Sequence, residues 1–211
     1  MTASFDVVIV GAGLAGLRAA QVLDQHDLSV LLVEQSEVVG GRLRSHDIEG
    51  FVVDEGFQLI NPAYPELRAT GVLDDFDLRQ FDPALTYITS ERRFDLVDPR
   101  FAPRQFLAML SRARVPYRDL VRLARVFATA NLRSIPSMTR TRDCSAREGF
   151  ERAGLTRATI ENVLQPFLRG TLLDDELESS WHYTQLLLRS FTHGRPGTHP
   201  RGIAALPLAM L

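Results

Sequence analysis

A chain of 211 residues with 45% hydrophobic and 24% charged content can bury a substantial core and is too apolar for a disordered tract. All 24 basic residues are arginine, which excludes Schiff-base chemistry by this chain, and the single Cys144 excludes an internal disulfide and suits a reducing cytoplasm. No apolar run approaches the roughly 20 residues of a membrane-spanning helix, the start lacks the basic region of a secretory signal, and at a net charge of −2 no nucleic-acid partner is expected.

Residues 5–10, Phe-Asp-Val-Val-Ile-Val, are short, apolar and β-branched, as a buried parallel strand requires. Gly11-Ala12-Gly13-Leu14-Ala15-Gly16 follows directly, and Leu14, Leu17, Ala20 and Leu23 then recur at helical spacing. A second apolar strand, Val30-Leu31-Leu32-Val33, ends on Glu34 and Gln35. Strand, glycine turn, helix, strand and acid together predict a βαβ unit able to bind a dinucleotide. Gly11 lets the chain turn sharply out of the strand. A side chain at Gly13 would hold the backbone away from a pyrophosphate, and one at Gly16 would push the helix off the sheet. The helix beginning at Leu14 and Ala15 aims its free N–H groups at the phosphates. Glu34 lies eighteen residues beyond Gly16, close to the roughly 20-residue offset at which an acid meets a ribose hydroxyl.

Gly40-Gly41-Arg42-Leu43 comes next, then Val52-Val53-Asp54-Glu55-Gly56-Phe57-Gln58. With these segments the sequence resembles the flavin amine oxidase, protoporphyrinogen oxidase and carotenoid desaturase superfamily. The resemblance implies FAD as cofactor, a Gly40–Leu43 loop around its pyrophosphate, and Arg42 as a phosphate clamp, a role that suits a guanidinium fork. It also implies that Gly56, Phe57 and Gln58 run near the flavin ring. A looser likeness covers the substrate half: Pro166-Phe167-Leu168-Arg169-Gly170 and, later, Pro200-Arg201-Gly202-Ile203 through Pro207.

Further along, a strand pair is expected around Glu49-Gly50, a short helix over 64–69, and a hairpin pairing 85–89 with 93–97. Helices are expected over 104–112 and from Pro116 to Leu132. Ser145-Ala146-Arg147-Glu148 has the spacing of a capping box that opens a helix stopped by Gly154. Another helix, 156–164, is expected to halt before Pro166. A last long one over 178–191 precedes a Gly- and Pro-rich loop at 194–202. The expected division is an FAD-binding segment at 1–75, a substrate domain at 76–200, and the start of a return to the FAD domain at 201–211.

In the resembling flavoproteins the chain returns to add strands to the first domain. Residues 1–211 are accordingly expected to form the N-terminal part of a protein about twice as long, exposing apolar surface and holding FAD weakly or not at all when alone, because too few elements cover the first strands. The fold class expected is therefore α/β, with a Rossmann-like βαβ FAD-binding domain, a mainly helical cap and the C-terminal half of the fold missing.

Charge is segregated. Residues 100–142 carry ten arginines against Asp119 alone, whereas 1–99 carry seventeen acids and seven arginines. In the helix after Pro116, Leu120, Leu123, Ala124 and Phe127 make one stripe and Arg118, Arg122 and Arg125 another. Such a helix could meet an anionic membrane as a peripheral contact; the commoner arrangement turns its apolar stripe to the core. The five histidines have no metal-binding spacing, and Trp181-His182-Tyr183 reads as core aromatics ahead of a substrate wall.

The function expected is an FAD-dependent oxidoreductase that takes hydride or electrons from a C–N or C–C bond of a small substrate, lipophilic ones included. The rival readings are an NAD-binding module, a non-catalytic binding protein like the Rab GDP-dissociation inhibitors, and an inactive fragment. Gly40-Gly41-Arg42 argues against the first, and the presence of Gly16 against the second.

Overall fold

The computed structural model describes residues 4–56, 59–82, 84–88, 93–98, 100–112 and 115–211. It divides into two units, one of residues 1–81 with 194–211 and one of residues 82–193. The sequence-based boundaries at 75 and 200 make the second unit slightly wider. Segments 76–81 and 194–200 are drawn to the first unit by an antiparallel pairing of β5 (Arg79–Gln80) with β8 (Gly197–Thr198). A two-residue strand has no periodicity to read, and 194–202 was expected to be only a loop.

The first unit opens with β1 (Val7–Val10), α1 (Leu14–Asp24) and β2 (Val30–Val33). The strands pair in parallel with Val7 opposite Val30 and Val10 opposite Val33. Asp6 locks their entry: its carboxylate accepts from the backbone N–H of Ser29 at 2.8 Å and from the Ser29 hydroxyl. Because side chains alternate along a strand, Val7, Ile9, Val30 and Leu32 share the more covered face, whereas Val8, Val10, Leu31 and Val33 share an exposed one. β3 (Ser45–Ile48) and β4 (Phe51–Asp54) form the expected hairpin, turning through Glu49 and Gly50, both at positive φ. α2 (Pro65–Ala69) follows. The core of this unit is Ile60, Ile203 and Leu206, with Leu14, Leu43, Leu67 and Phe76 packed around them. α10 (Ala205–Ala209) thereby joins the end of the chain to its beginning.

In the second unit β6 (Ala84–Ile88) and β7 (Arg93–Val97) pair antiparallel as expected. Helices follow: α3 (Pro103–Arg112), α4 (Tyr117–Leu132), α5 (Ile135–Met138), α6 (Ala146–Arg152) and α7 (Arg157–Thr159). A π-helical turn, Ile160–Leu164, then leads into α8 (Gln165–Leu172), and α9 (Trp181–His193) closes the unit. Pro116 sits at the N-cap of α4, one place before its expected first-turn position.

Pro166 does not stop the helix as expected. The N–H of Gln165 reaches back five residues to the Ile160 carbonyl, and α8 continues from there. The widened turn removes the i−4 bond that Pro166 cannot make and the carbonyl its ring would strike. α9 starts three residues later than expected because the Ser180 hydroxyl caps it, accepting from the Tyr183 N–H at 3.1 Å. At α6 half of the expected capping box forms: Ser145 accepts from the Glu148 N–H at 3.2 Å, while the Glu148 carboxylate turns to Arg152, and Gly154 at φ +86° ends the helix.

The apolar stripe of α4 turns inward. Val126 and Ala130 are buried with Phe150, Leu168 and Leu188, and Leu123 and Phe127 pack on this cluster, while Ala124, Arg118 and Arg125 stay exposed. Trp181 also joins the core, its ring meeting Phe150 edge-on at 4.9 Å between centroids. Among the described residues no helix is long and apolar enough to cross a membrane, and no cluster could hold a metal ion.

Candidate functional site

Gly11 adopts φ +101°, and its N–H donates to the Val33 carbonyl at 2.7 Å, so the turn stays anchored to β2 while reversing the chain. Gly13 is the N-cap of α1, its carbonyl accepting from the Leu17 N–H at 2.9 Å. The N–H groups of Leu14, Ala15 and Gly16 therefore have no carbonyl one turn back and point out of the helix end. A Cβ built at Gly13 meets nothing within 4 Å, whereas one at Gly16 would lie 2.0 Å from the Gly11 carbonyl oxygen. The two glycines thus do different work. Gly13 leaves room in front of the helix, and Gly16 lets the helix close on the turn behind it.

Glu34 ties the end of β2 to this turn. One carboxylate oxygen accepts from the Ala12 N–H at 2.7 Å; the other accepts from the Ser36 N–H at 2.9 Å and the Ser36 hydroxyl at 2.6 Å. The Ser36 hydroxyl, then the Ser36 and Ala12 N–H groups, hold the Glu34 pKa at about 2. With the folded pKa below the ordinary 4.5, the stabilisation is complete above pH 4.5 and lost as pH falls toward 2. Protection of the Ala12 amide, its exchange rate measured against the intrinsic rate at each pH, is expected to fall as pH drops across that window in the native chain. In Glu34→Gln protection should be low throughout, and an unchanged acid profile in the variant would refute the assignment.

The glycine-arginine loop packs directly on the turn. The Gly40 N–H donates to the Ala12 carbonyl at 2.8 Å, and Gly13 and Gly40 form an isolated parallel bridge. Gly40 is at φ +114°, and a Cβ there would strike the Leu43 carbonyl and the Pro207 ring. At Gly41 a Cβ would approach the Gly13 Cα to 3.4 Å. Arg42 is exposed and makes no hydrogen bond or ion pair among the described residues. Arg44 is half-buried, its Nε donating to the Gly41 carbonyl at 3.0 Å and its Nη2 to the Ser36 hydroxyl at 3.1 Å.

These elements enclose one cleft of about 550 Å³, lined by Val10, Gly11, Gly13, Val33, Glu34, Gln35, Ser36, Gly41 and Arg44. Of the residues expected to bind cofactor, Gly11, Gly13, Glu34, Gln35 and Gly41 line it. Leu14, Ala15, Gly16, Gly40, Arg42 and Leu43 lie in the surrounding turn, helix and loop. Gly56, at φ +106°, ends the hairpin away from the lining. Phe57 and Gln58 fall outside the described residues.

Sequence reasoning passed over Ser36 and Arg44, and read Asp54 only as part of the segment that carries the resemblance. A serine two places after an acid is a familiar turn signal, but nothing in the sequence shows that it would bind the acid itself. Asp54 holds the returning segment: one oxygen accepts from the Ile203 N–H at 2.9 Å and the Ser45 hydroxyl at 2.6 Å, while Ser45 accepts from the Ala204 N–H at 3.0 Å. That contact spans about three-quarters of the chain, beyond the reach of any local pattern.

The donor set suits a dinucleotide. A pyrophosphate fits the open space before Gly13 and the helix N-terminus, and an ionised carboxylate at the second strand suits ribose hydroxyls. The comparisons with known proteins agree. The flavin containing amine oxidoreductase family matches residues 14–211. A chloroplastic/mitochondrial protoporphyrinogen oxidase 2 of Arabidopsis thaliana is 42% identical over 74 residues, 35% of this chain and 14% of that protein. A chloroplastic protoporphyrinogen oxidase of Nicotiana tabacum is 27% identical over 177 residues, 82% of this chain and 30% of that protein. A putrescine oxidase structure with putrescine bound superposes with a TM-score of 0.62 at 21% identity, covering 100% of this chain and 49% of its own. The chain therefore spans about half the length of that solved relative. With its glycine turn, acid and glycine-arginine loop assembled as above and nearly its whole length matched, the chain belongs to the flavin-containing amine oxidoreductase family.

Proposed function

We propose that this chain is the FAD-binding portion of an oxidoreductase that oxidises a C–N or C–C bond of a small molecule. The single observation that carries this reading is the cleft itself, in which Gly13, Glu34 and Gly41 converge from three separate segments. Bound FAD would supply the two-electron acceptor; the protein supplies binding, orientation and electrostatics. Gly13 and the start of α1 would receive the pyrophosphate. Glu34, held ionised, would accept hydrogen bonds from the adenosine ribose. Arg42, exposed beside Gly41, is free to close over the phosphates in the role that the family resemblance gives it. The helical second unit would face the substrate. We assign no proton-transfer residue.

The test is an FAD titration of the purified chain followed by flavin absorption and fluorescence quenching. Wild type should bind FAD, and Gly13→Val should lose that binding with the fold retained. Arg42→Ala should weaken it about tenfold to a hundredfold, the roughly 1.5–3 kcal/mol of a charged hydrogen bond. A wild type that binds NAD in preference to FAD would overturn the reading, and equal binding by Arg42→Ala would remove the clamp.

For the basic segment we propose a packing role and not a membrane contact, because the apolar stripe of α4 is already used in the core. The chain should stay in the supernatant when spun with anionic liposomes at low salt; co-sedimentation would restore the membrane contact.

A further inference from the structure

Arg44 carries an inference that the family resemblance does not. The guanidinium that lines the cleft is that of Arg44, not of Arg42. Its position is fixed from two sides. Nε is tied to the Gly41 carbonyl, on the loop that abuts Gly13, and Nη2 to the Ser36 hydroxyl, which itself binds Glu34. Arg44 therefore spans the interval between the phosphate cradle at Gly13 and the ribose acid at Glu34. Two of its three nitrogens are used in holding it there; Nη1 has no partner among the described residues and is not sealed from solvent. A preorganised guanidinium loses less side-chain freedom on meeting an anion than a mobile one, so the fixed arginine is the better phosphate ligand of the two.

We propose that Arg44 is a cofactor-binding residue that donates from Nη1 to the phosphate next to the adenosine ribose, with Ser36 as its positioning residue. This rests on the FAD reading above and adds to it a second cation at a defined place. No bond is made or broken. The interaction is a charge-assisted hydrogen bond to a phosphate oxygen, and it replaces hydration of the free Nη1. The Ser36 hydroxyl lies between Arg44 and Glu34, donating to Glu34 and accepting from Arg44, so each charge keeps a separate outlet toward the ligand.

The experiment uses the full chain and two probes without flavin, ADP and adenosine, beside FAD. Calorimetric titrations are run on wild type, Arg44→Ala, Arg44→Lys and Ser36→Ala, with circular dichroism to confirm folding. ADP should bind wild type more tightly than adenosine, and Arg44→Ala should shrink that preference about tenfold while leaving adenosine binding unchanged. Arg44→Lys should recover part of it, having the charge without the fork, and Ser36→Ala should fall between wild type and Arg44→Ala. If Arg44 only braces the loop, ADP and adenosine would weaken together, and the proposal is overturned although FAD still binds wild type. If wild type binds ADP no better than adenosine, this proposal is overturned; the FAD reading is judged separately, by the preference of wild type for FAD over NAD. Should Arg44→Ala not fold, the ADP-to-adenosine ratio of Arg44→Lys decides: a ratio equal to that of wild type overturns the need for a guanidinium at this place.

Discussion

Gly16→Ala is expected to destabilise the first unit and to weaken dinucleotide binding further, although alanine is the better helix former. The intrinsic preference favours the substitution by roughly 0.5–1 kcal/mol within a helix. Against it, the added Cβ would lie 2.0 Å from the Gly11 carbonyl oxygen, 3.2 Å from its carbon and 3.4 Å from Ile9 Cγ2. Two of these are backbone atoms of a turn that Val33 holds at 2.7 Å through the Gly11 N–H, so the neighbours cannot simply rotate away. Overpacking of this kind costs about 1–3 kcal/mol and more where backbone must move, which outweighs the propensity gain. α1 must back off from the turn, and the N–H groups at its start lose their aim. Gly13→Ala is the matched control: its Cβ meets nothing and its φ of −74° suits any residue. That variant should keep its stability and lose only ligand affinity. Exchange of the β1 and β2 amides reports the first effect and FAD titration the second. A Gly16→Ala chain as stable as wild type would show that the close approach is not needed.

The contrast between those two glycines marks how far the sequence could be read. That Gly11, Gly13 and Gly16 belong to one turn follows from spacing, since strand, helix, second strand and acid all fall where a dinucleotide site needs them. Glu34 was legible for the same reason. Which groups of the chain the carboxylate binds was not: they are Ala12 and Ser36, a geometry set by how the chain leaves β2. Arg44 was hidden by its neighbour. Arg42 carries the family pattern and drew the assignment, yet the turn at 40–43, with Gly40 and Gly41 at positive φ and the Leu43 N–H donating to the Gly40 carbonyl, leaves Arg42 exposed and brings Arg44 to the cleft. Here pattern gave the segment and the turn decided the residue.

Elsewhere the unread features come from contacts distant in sequence. Pro166 signals a stop by local rules, and the π-helical turn before it defeats them at the cost of one wider ring. Gly149 looks like an ordinary helical glycine. In the structure a Cβ there would overlap the Trp181 indole, so α6 and α9 touch at that point because a side chain is absent. Cap signals fared better because they are local. Ser145 and Gly154 bound α6 as the capping spacing implied.

Asp119→Ala is expected to be the most damaging single substitution in the second unit. The carboxylate is fully buried, with Arg122 at 3.1 Å, the Thr156 N–H at 3.0 Å and the Thr159 hydroxyl at 2.6 Å, and it also accepts from the Thr156 hydroxyl. Burial alone would raise its pKa; the Thr156 and Thr159 hydroxyls, the Thr156 N–H and Arg122 outweigh it and hold the value at about 2. Removing the carboxylate leaves donors on two threonines and an arginine facing a cavity, a loss of about 3–5 kcal/mol for a broken buried ion pair. Arg122 is partly exposed and can be rehydrated, which places the loss toward the lower end of that range. Asp119→Asn keeps the shape and two acceptor lone pairs and should lose less. The pH dependence has a definite sign. With the folded pKa depressed below the ordinary 3.8, the contribution is complete above that value and fades as pH falls toward 2. Trp181 is the sole tryptophan and lies in the core of this unit, so urea melts followed by its fluorescence report the right region. At neutral pH wild type should exceed Asp119→Ala by the stated margin, and the gap should narrow steadily between about pH 4 and pH 2. A gap independent of pH over that interval would mean that cavity formation, and not the charge network, accounts for the loss.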